Sequence, residues 1–372
     1  MTSSVELTGF TVGVTADRRW VEQAALFERR GAAVDHGPAI TTLPMGPESP
    51  LRQATADIIA RPPAVLIANT GLGIRSWFAN ADSWGMGHAL EAALSQAQIY
   101  ARGPKAAGAV HAFGLEVKAR GRSERLTEIV DLILESLQPG QRVVMQMDGS
   151  QASPEIDRLR ACGADVLALP VYRWTLPEDR VPALRLANSV IAGRVQAVTF
   201  TAGPAVRNWL AIAADAGVDE DLRLALTDGR CIVGCVGPVC AETAAAHGLA
   251  SPYLVQPDTF RLGPLVRAVA RRLADRQISI QIGSTTMMLS GTAVLIAGDS
   301  LCLPPSEARL LATLARRPNA VLAKEQLFQA VWPRSTADSH TVEVAVARLR
   351  KRLRPYGVSV HSVRRRGYTL RA

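Results

Sequence analysis

From about residue 10 to residue 276, short apolar runs of strand character alternate with stretches of helical period. Such alternation marks a parallel α/β architecture, because each parallel strand needs a crossover before the next one can pair. The pattern predicts strands at 10–14, 65–68, 143–147, 166–169, 197–200 and 231–236, with helices between them, among others at 20–30, 124–137, 154–162, 204–216 and 264–275. After Gln277 the texture changes to the short runs ISIQI, MML, AVLIA and SLCL, separated by Gly-Thr and Gly-Asp turns, which predicts antiparallel strands. Three helices follow. The first, 305–316, sets Leu310, Leu311 and Leu314 on one face; the second, 324–331, ends at Trp332-Pro333; the third, 339–353, opens with Ser339 as its cap. In the third helix Val342, Val346, Leu349 and Leu353 recur at helical spacing and predict a buried stripe. Thr341, Val344, Ala345, Arg348 and Arg352 are assigned to the opposite side. Residues 358–363, the run Arg364-Arg365-Arg366-Gly367, and residues 368–371 predict a hairpin with a basic tip.

The α/β part echoes itself. VLIANTGLGIRSW at 65–77 and AVTFTAGPAVRNW at 197–209 each run from an apolar strand through a Thr and a small-residue turn into a helix carrying Arg-x-Trp. Gly103-Pro104 precedes Gly114-Leu115 by eleven residues, and Gly237-Pro238 precedes Gly248-Leu249 by eleven. Two coincidences in the same order predict a duplicated unit. The turns at Thr70-Gly71, Gly103-Pro104, Thr201-Ala202-Gly203 and Gly237-Pro238 would then crowd at the carboxyl edges of the sheets. There, backbone N–H groups and helix N-termini favour anions, and a cleft between two lobes is expected.

Charge changes the picture at one end only. Of a net +9 over 372 residues, positions 339–372 hold nine basic side chains against one acid, Glu343, which is +8. A basic segment that also carries a core stripe points to a folded nucleic-acid-binding module, since a disordered basic arm would lack the periodicity. No run approaches the length of a membrane span and the N-terminus lacks a signal-peptide pattern, so a cytoplasmic location with no membrane partner is expected. Five cysteines in such a chain argue against a disulfide framework. Cys231, Cys235 and Cys240 sit in an apolar strand and the helix after it, without CxxC spacing or a His pair, so neither a metal nor a cofactor is expected.

The turns above, together with QRVVMQMDG, LPVYRWTLP and CVGPVCAETAAAHGL, resemble uroporphyrinogen-III synthase over about residues 7–275. The resemblance implies two flavodoxin-like α/β lobes joined by a two-stranded ladder, lobe 1 at 1–39 and 172–276 and lobe 2 at 40–171. It also implies a reaction that closes the carboxylate-rich linear tetrapyrrole hydroxymethylbilane into a macrocycle. Tyr172 stands at the family's cleft tyrosine and is the implied proton donor. Thr70, Gly71, Arg102, Gly103, Lys105, Thr201, Ala202, Gly203, Gly237 and Pro238 are the implied ligand contacts. The chain departs from the family at Ala202, where a serine is usual, and at Val239 and Cys240, where threonines are common. Hydroxyl donors to carboxylates are thus lost at two places, while Arg102 and Lys105 add cations.

The C-terminal run TVEVAVARLRKRL followed by VRRRGYTL is similar to the OmpR/PhoB type of winged helix, with a linker expected at 277–290 and the module at 291–372. That resemblance implies double-stranded DNA as partner. Arg348 and Arg350 would meet phosphate or base edges, Val344 the thymine-methyl surface, and Arg364 the minor groove, with Arg352, Arg365 and Arg366 as further cations. The acidic cluster of a phosphoryl-receiver domain is missing after TVGVT, so a ligand is the expected switch. Together these features imply a transcriptional regulator sensing a small anion such as a tetrapyrrole precursor, dimeric on DNA and linked by resemblance to nitrate and nitrite assimilation. The alternatives are an active bifunctional synthase that also binds DNA, and an interaction protein that docks a second regulator.

Overall fold

The computed structural model describes residues 7–46, 50–147, 149, 153–333 and 340–371. The chain forms two compact units, Met1–Ile40 with Leu176–Ala372, and Thr41–Thr175. The first unit opens with β1 (Thr11–Val14), α1 (Trp20–Glu28) and β2 (Ala33–His36).

In the second unit β3 (Thr41–Pro44) and β9 (Tyr172–Thr175) pair antiparallel, with Pro44 opposite Tyr172, where the chain enters and leaves. Between them run α2 (Pro50–Ala60), β4 (Val65–Ala68), α3 (Gly71–Ser83), α4 (Gly87–Leu94), β5 (Gln98–Ala101), α5 (Pro104–His111), β6 (Ala119–Arg120), α6 (Leu126–Leu134), β7 (Arg142–Gln146), α7 (Pro154–Ala161) and β8 (Asp165–Leu169). The sheet is parallel in the order β6-β5-β4-β7-β8. Alternate residues of β4 serve opposite faces: Leu66 packs in a core with Ile74 and Trp77 of α3 and Val110 of α5, whereas Val65 and Ile67 pack with Ile129 and Ile133 of α6. Burial on both faces is why the strand is a continuous apolar run.

The first unit resumes with α8 (Val181–Ile191), β10 (Ala197–Phe200), α9 (Gly203–Asp215), α10 (Asp219–Thr227), β11 (Ile232–Cys235), α11 (Pro238–Ala244), β12 (Leu254–Val255) and α12 (Leu262–Ala274). Its parallel sheet has the order β12-β11-β10-β1-β2. Numbered along the chain from its β2 edge, this lobe is 2-1-3-4-5, the flavodoxin-like order. The other sheet, from its β8 edge, is 5-4-1-2-3, a circular permutation of the same arrangement. β4 therefore corresponds to β10 and β5 to β11, the two pairs that carry the sequence echo. The repeated Trp is equivalent too, since Trp77 and Trp209 are both fully buried.

The remainder of the first unit is a winged helix. β13 (Ile278–Ile282), β14 (Thr285–Ser290), β15 (Ala293–Ile296) and β16 (Asp299–Cys302) form an antiparallel meander. They are followed by α13 (Pro305–Ala315), α14 (Lys324–Val331), α15 (His340–Leu353) and the hairpin of β17 (Val360–Val363) and β18 (Gly367–Leu370). ISIQI and MML form strands as the pattern predicts, but the linker boundary at 277–290 is corrected: β13 and β14 are the first two strands of the module's own sheet, and Met287 and Leu289 lie in its core. The sheet also docks on the preceding lobe. The Thr292 N–H donates to the Gly9 carbonyl at 3.2 Å, and a Cβ at Gly9 would lie 2.4 Å from both Ala293 Cβ and the Ser290 carbonyl oxygen. Gly9 is held at φ 90°, so the contact tolerates no side chain and the module joins the lobe backbone to backbone. The Ser339 cap lies outside the described residues. Among the described residues no helix is long and apolar enough to cross a membrane.

Candidate functional site

In the Thr41–Thr175 unit the strand order reverses between β4 and β7, the place where α/β sheets open a crevice beyond the strand ends. Thr70 follows β4 in extended conformation and caps α3, its Oγ1 accepting the Gly73 N–H at 3.0 Å. Its own N–H donates to Gln146 Oε1 at 2.8 Å, so the buried amide that ends β7 fixes the turn that follows β4. The Tyr172 hydroxyl lies 3.3 Å from Thr70 Oγ1, and its ring, 4% exposed, packs on Trp174. Gly71 abuts the first turn of α5 so closely that a Cβ would stand 2.2 Å from the Lys105 carbonyl oxygen. Gly103 is the extended N-cap of α5 with Pro104 at its first position. Thr70, Gly71, Gly103, Lys105 and Tyr172 are thus brought together, with Arg102 half-buried and Lys105 exposed on the same turn. Sequence reading missed Gln146, whose only signal was a polar residue ending an apolar strand.

The lobe of the other unit reverses between β1 and β10, and there too a buried polar set ties the strands. Thr15 Oγ1 donates to the Thr199 carbonyl at 2.8 Å, Thr199 Oγ1 to the Gly13 carbonyl at 3.0 Å, and Gln23 Nε2 to Thr199 Oγ1 at 2.9 Å. The turns at Thr201-Ala202-Gly203 and Gly237-Pro238 start α9 and α11 side by side, since a Cβ at Gly203 would lie 2.6 Å from Thr243 Oγ1 on α11. The contrast with Thr70 is at Ala202, an N-cap that has no side-chain bond to offer. Cys240 faces inward, its Sγ 3.7 Å from the Phe200 carbonyl oxygen. Burial pushes the Cys231 thiol up to about 12, and the Cys240 contact together with burial raises Cys235 well above the ordinary thiol range. Neutral thiols of this kind are packing groups.

On the winged helix the predicted stripe is in place: Val342, Val346, Leu349 and Leu353 are buried. Ala345 is corrected from the outer face to the core, where it is 6% exposed. The outward row is Val344, Ala347, Arg348 and Lys351, a spacing of three, one and three, with Thr341 half-buried at its start. Two arginines assigned to DNA have inward partners. Arg350 donates through Nε to the Val360 carbonyl at 2.6 Å and through Nη2 to Ser362 Oγ at 2.8 Å, and it lies over the Tyr368 ring, bracing the wing against α15. The Arg352 Nε stands 2.9 Å from Oε2 of the buried Glu307, an ion pair that ties α15 to α13. Arg364, Arg365 and Arg366 are all exposed at the wing tip, where Arg365 takes φ 58° and the Arg366 N–H closes the turn on Val363.

Gly367 seats this wing. At φ 132°, its Cβ would fall 1.9 Å from the Leu322 carbonyl oxygen, which accepts the Tyr368 N–H at 2.9 Å. Gly367→Ala is expected to destabilise the module by about 1–3 kcal/mol through backbone strain alone. Denaturant titration with a parallel DNA-binding curve checks this, and an unchanged midpoint would contradict the seating described.

The fold is that of a two-unit α/β protein with a C-terminal module of the DNA-binding winged-helix class. Residues 21–267 match the family model for uroporphyrinogen-III synthase HemD, and residues 298–370 match that for the C-terminal part of transcriptional regulatory proteins. The chain belongs to the uroporphyrinogen-III synthase family and carries an OmpR/PhoB-type DNA-binding domain fused behind it. It is similar to a mutant uroporphyrinogen III synthase from Thermus thermophilus, at 28% identity and a TM-score of 0.59, covering 72% of this chain and 99% of that one. It is 26% identical over 216 residues to the uncharacterized protein YjjA of Bacillus subtilis, covering 57% of this chain and 77% of that one. It is also 37% identical over 128 residues to the transcriptional regulatory protein AfsQ1 of Streptomyces coelicolor, 32% of this chain and 56% of the regulator. A similar match, 31% over 121 residues, is to the heme response regulator HssR of Staphylococcus aureus, 32% of this chain and 52% of that one. The chain spans about half the length of these two regulators.

Proposed function

We propose that the protein is a transcriptional regulator in which α15 and the wing bind double-stranded DNA, while the synthase-like region holds a small anionic ligand, a tetrapyrrole precursor, that biases the module. The observation that carries this reading is the outward row Val344, Ala347, Arg348 and Lys351 together with three exposed arginines at the wing tip. An apolar and small-residue stripe flanked by cations suits a major groove, and a basic hairpin suits the adjoining phosphates or minor groove. The ligand half is supported by two helix N-termini, α3 and α5, that open beside Thr70 and Lys105. Coupling is supported by the absence of a slack tether. β13 starts four residues after α12 ends, and the Gly9–Thr292 contact bonds the module to the lobe. A ligand that favours one lobe conformation can then shift the module only through its differential affinity for the two states. Binding as a pair on direct repeats and a cytoplasmic location fit this role; target genes in nitrate and nitrite assimilation rest on the resemblance alone.

The second reading, a working synthase, is favoured by one contact, Tyr172 hydroxyl to Thr70 Oγ1 at 3.3 Å. Against it stand Ala202 and Cys240, which remove hydroxyl donors worth on the order of 1–3 kcal/mol each against a buried anion. The test is the product isomer formed from hydroxymethylbilane. The expected result is the spontaneous type I product at background rate, unchanged in Tyr172→Phe. Catalytic formation of uroporphyrinogen III, lost in Tyr172→Phe, would replace the sensor reading with a bifunctional enzyme.

A further inference from the structure

The winged helix and the preceding lobe meet at a second place, away from the strand-end turns. There α13 and the end of α14 face α10 and the end of α8, and a cavity of about 160 Å³ is left between them. Its walls are of two kinds. Ile191, Leu224 and Trp332 supply aliphatic and aromatic surface, while Arg230 and Arg309 supply cations and Asp221 a carboxylate in the first turn of α10.

Arg309 is the unusual group. Its Nε is buried and has no hydrogen-bond partner among the described residues, and its Nη1 lies against the Gly193 turn, 3.3 Å from where a Cβ would stand. Burial, and then the repulsion of Arg230, lowers its pKa; only Asp228 opposes them. Asp228 is already held by Arg230, through Nε at 2.7 Å and the backbone N–H at 2.9 Å. A half-buried guanidinium facing a second cation, with an N–H unsatisfied, is costly unless an anion accompanies it.

We infer that this junction is a binding site for a small aromatic carboxylate, the carboxylate accepting from Arg309 and the ring lying against Trp332, Leu224 and Ile191. Size decides against the tetrapyrrole class invoked for the strand-end turns. Drug-sized ligands occupy about 300–1,000 Å³, so this cavity admits a single substituted ring. The apolar walls decide against bare phosphate, which would leave most of the surface unused. The position gives the site a consequence. Trp332-Pro333 follows the end of α14, so a bound ring ties that end of the module to α10 of the lobe.

The test is calorimetric titration of the full chain with benzoate at matched ionic strength. Saturable binding with Kd on the order of 1 mM is expected for a ligand of this size. Arg309→Met, which keeps the aliphatic stem, should weaken it at least tenfold. Leu224→Trp, which fills the cavity and leaves the cations, should abolish it. Lys105→Met, at the strand-end turns, should leave it unchanged. No saturable heat with benzoate, or the same Kd in Arg309→Met and Leu224→Trp, overturns the site. Loss of binding in Lys105→Met would move the benzoate to the synthase-like turns and overturn it as well. If Arg309→Met fails to fold, Leu224→Trp decides alone.

Discussion

Replacing Arg348 with alanine is expected to weaken sequence-specific DNA binding by about 1–3 kcal/mol, roughly 5- to 150-fold, if its guanidinium reads a base edge in the major groove. Arg348 is exposed in mid-α15, one turn from Val344 and beside Ala347, so no bulky neighbour keeps it from the groove floor. Arg364→Ala at the wing tip is expected to act differently. Losing one phosphate contact should lower the slope of log affinity against log salt by about one unit, with similar effects on specific and non-specific DNA. Fluorescence anisotropy over a salt series separates the two. If neither variant changes the titration, α15 and the wing do not face DNA as proposed. Arg350 and Arg352 make a useful contrast. Their removal would loosen the wing from α15 and α15 from α13, so a loss of affinity there should come with a lower unfolding midpoint, and for Arg348 it should not.

The second large effect is expected at Trp209. Its indole is fully buried in the lobe core against Phe200, and its N–H donates to the Ala183 carbonyl at 2.9 Å. Trp209→Ala is expected to cost about 3–5 kcal/mol, the lost transfer of the ring plus the cavity left behind. The Ala183 carbonyl also loses its indole donor, which adds to the cost. Trp77, its counterpart in the other unit, donates instead to Thr55 Oγ1 at 2.9 Å, and Trp77→Ala should destabilise that unit by a similar amount. Guanidinium titration followed by far-UV circular dichroism checks both. A shift below about 1 kcal/mol for Trp209→Ala would mean that the core is not packed as described.

Much of the fold was legible in particular residues. Strands β4 and β10 were placed at their observed bounds because both are runs buried on two faces, where periodicity needs no tertiary context. Three edge strands, β2, β6 and β12, were not. β2 reads AVDH, with two polar residues in four, and β6 and β12 have two residues each, too short for any period to show. β5 reads QIYA, and its polar first residue shortens the apolar run to three, too short to predict a strand. The strand-end turns were found because the repeat marked them twice, but Gln146, Thr15 and Thr199, which hold those turns from beneath, look in isolation like ordinary polar residues in strands.

The sequence by itself determined the α/β alternation, the duplicated unit, the core stripe of α15 and the basic module. Each of these is a one-dimensional property of spacing, repetition or summed charge. Only the tertiary structure decided that the second sheet is a permuted copy of the first, that the strands at 278–290 belong to the module's own sheet and core, and that Ala345 turns into the core. It also decided the fate of the arginines, which share one charge and one propensity along the chain. Arg352 meets Glu307, 45 positions earlier, and Arg350 meets Val360 and Ser362, whereas Arg348, two positions before Arg350, faces outward. Which cation braces the module and which is left to bind depends on partners that only folding brings near.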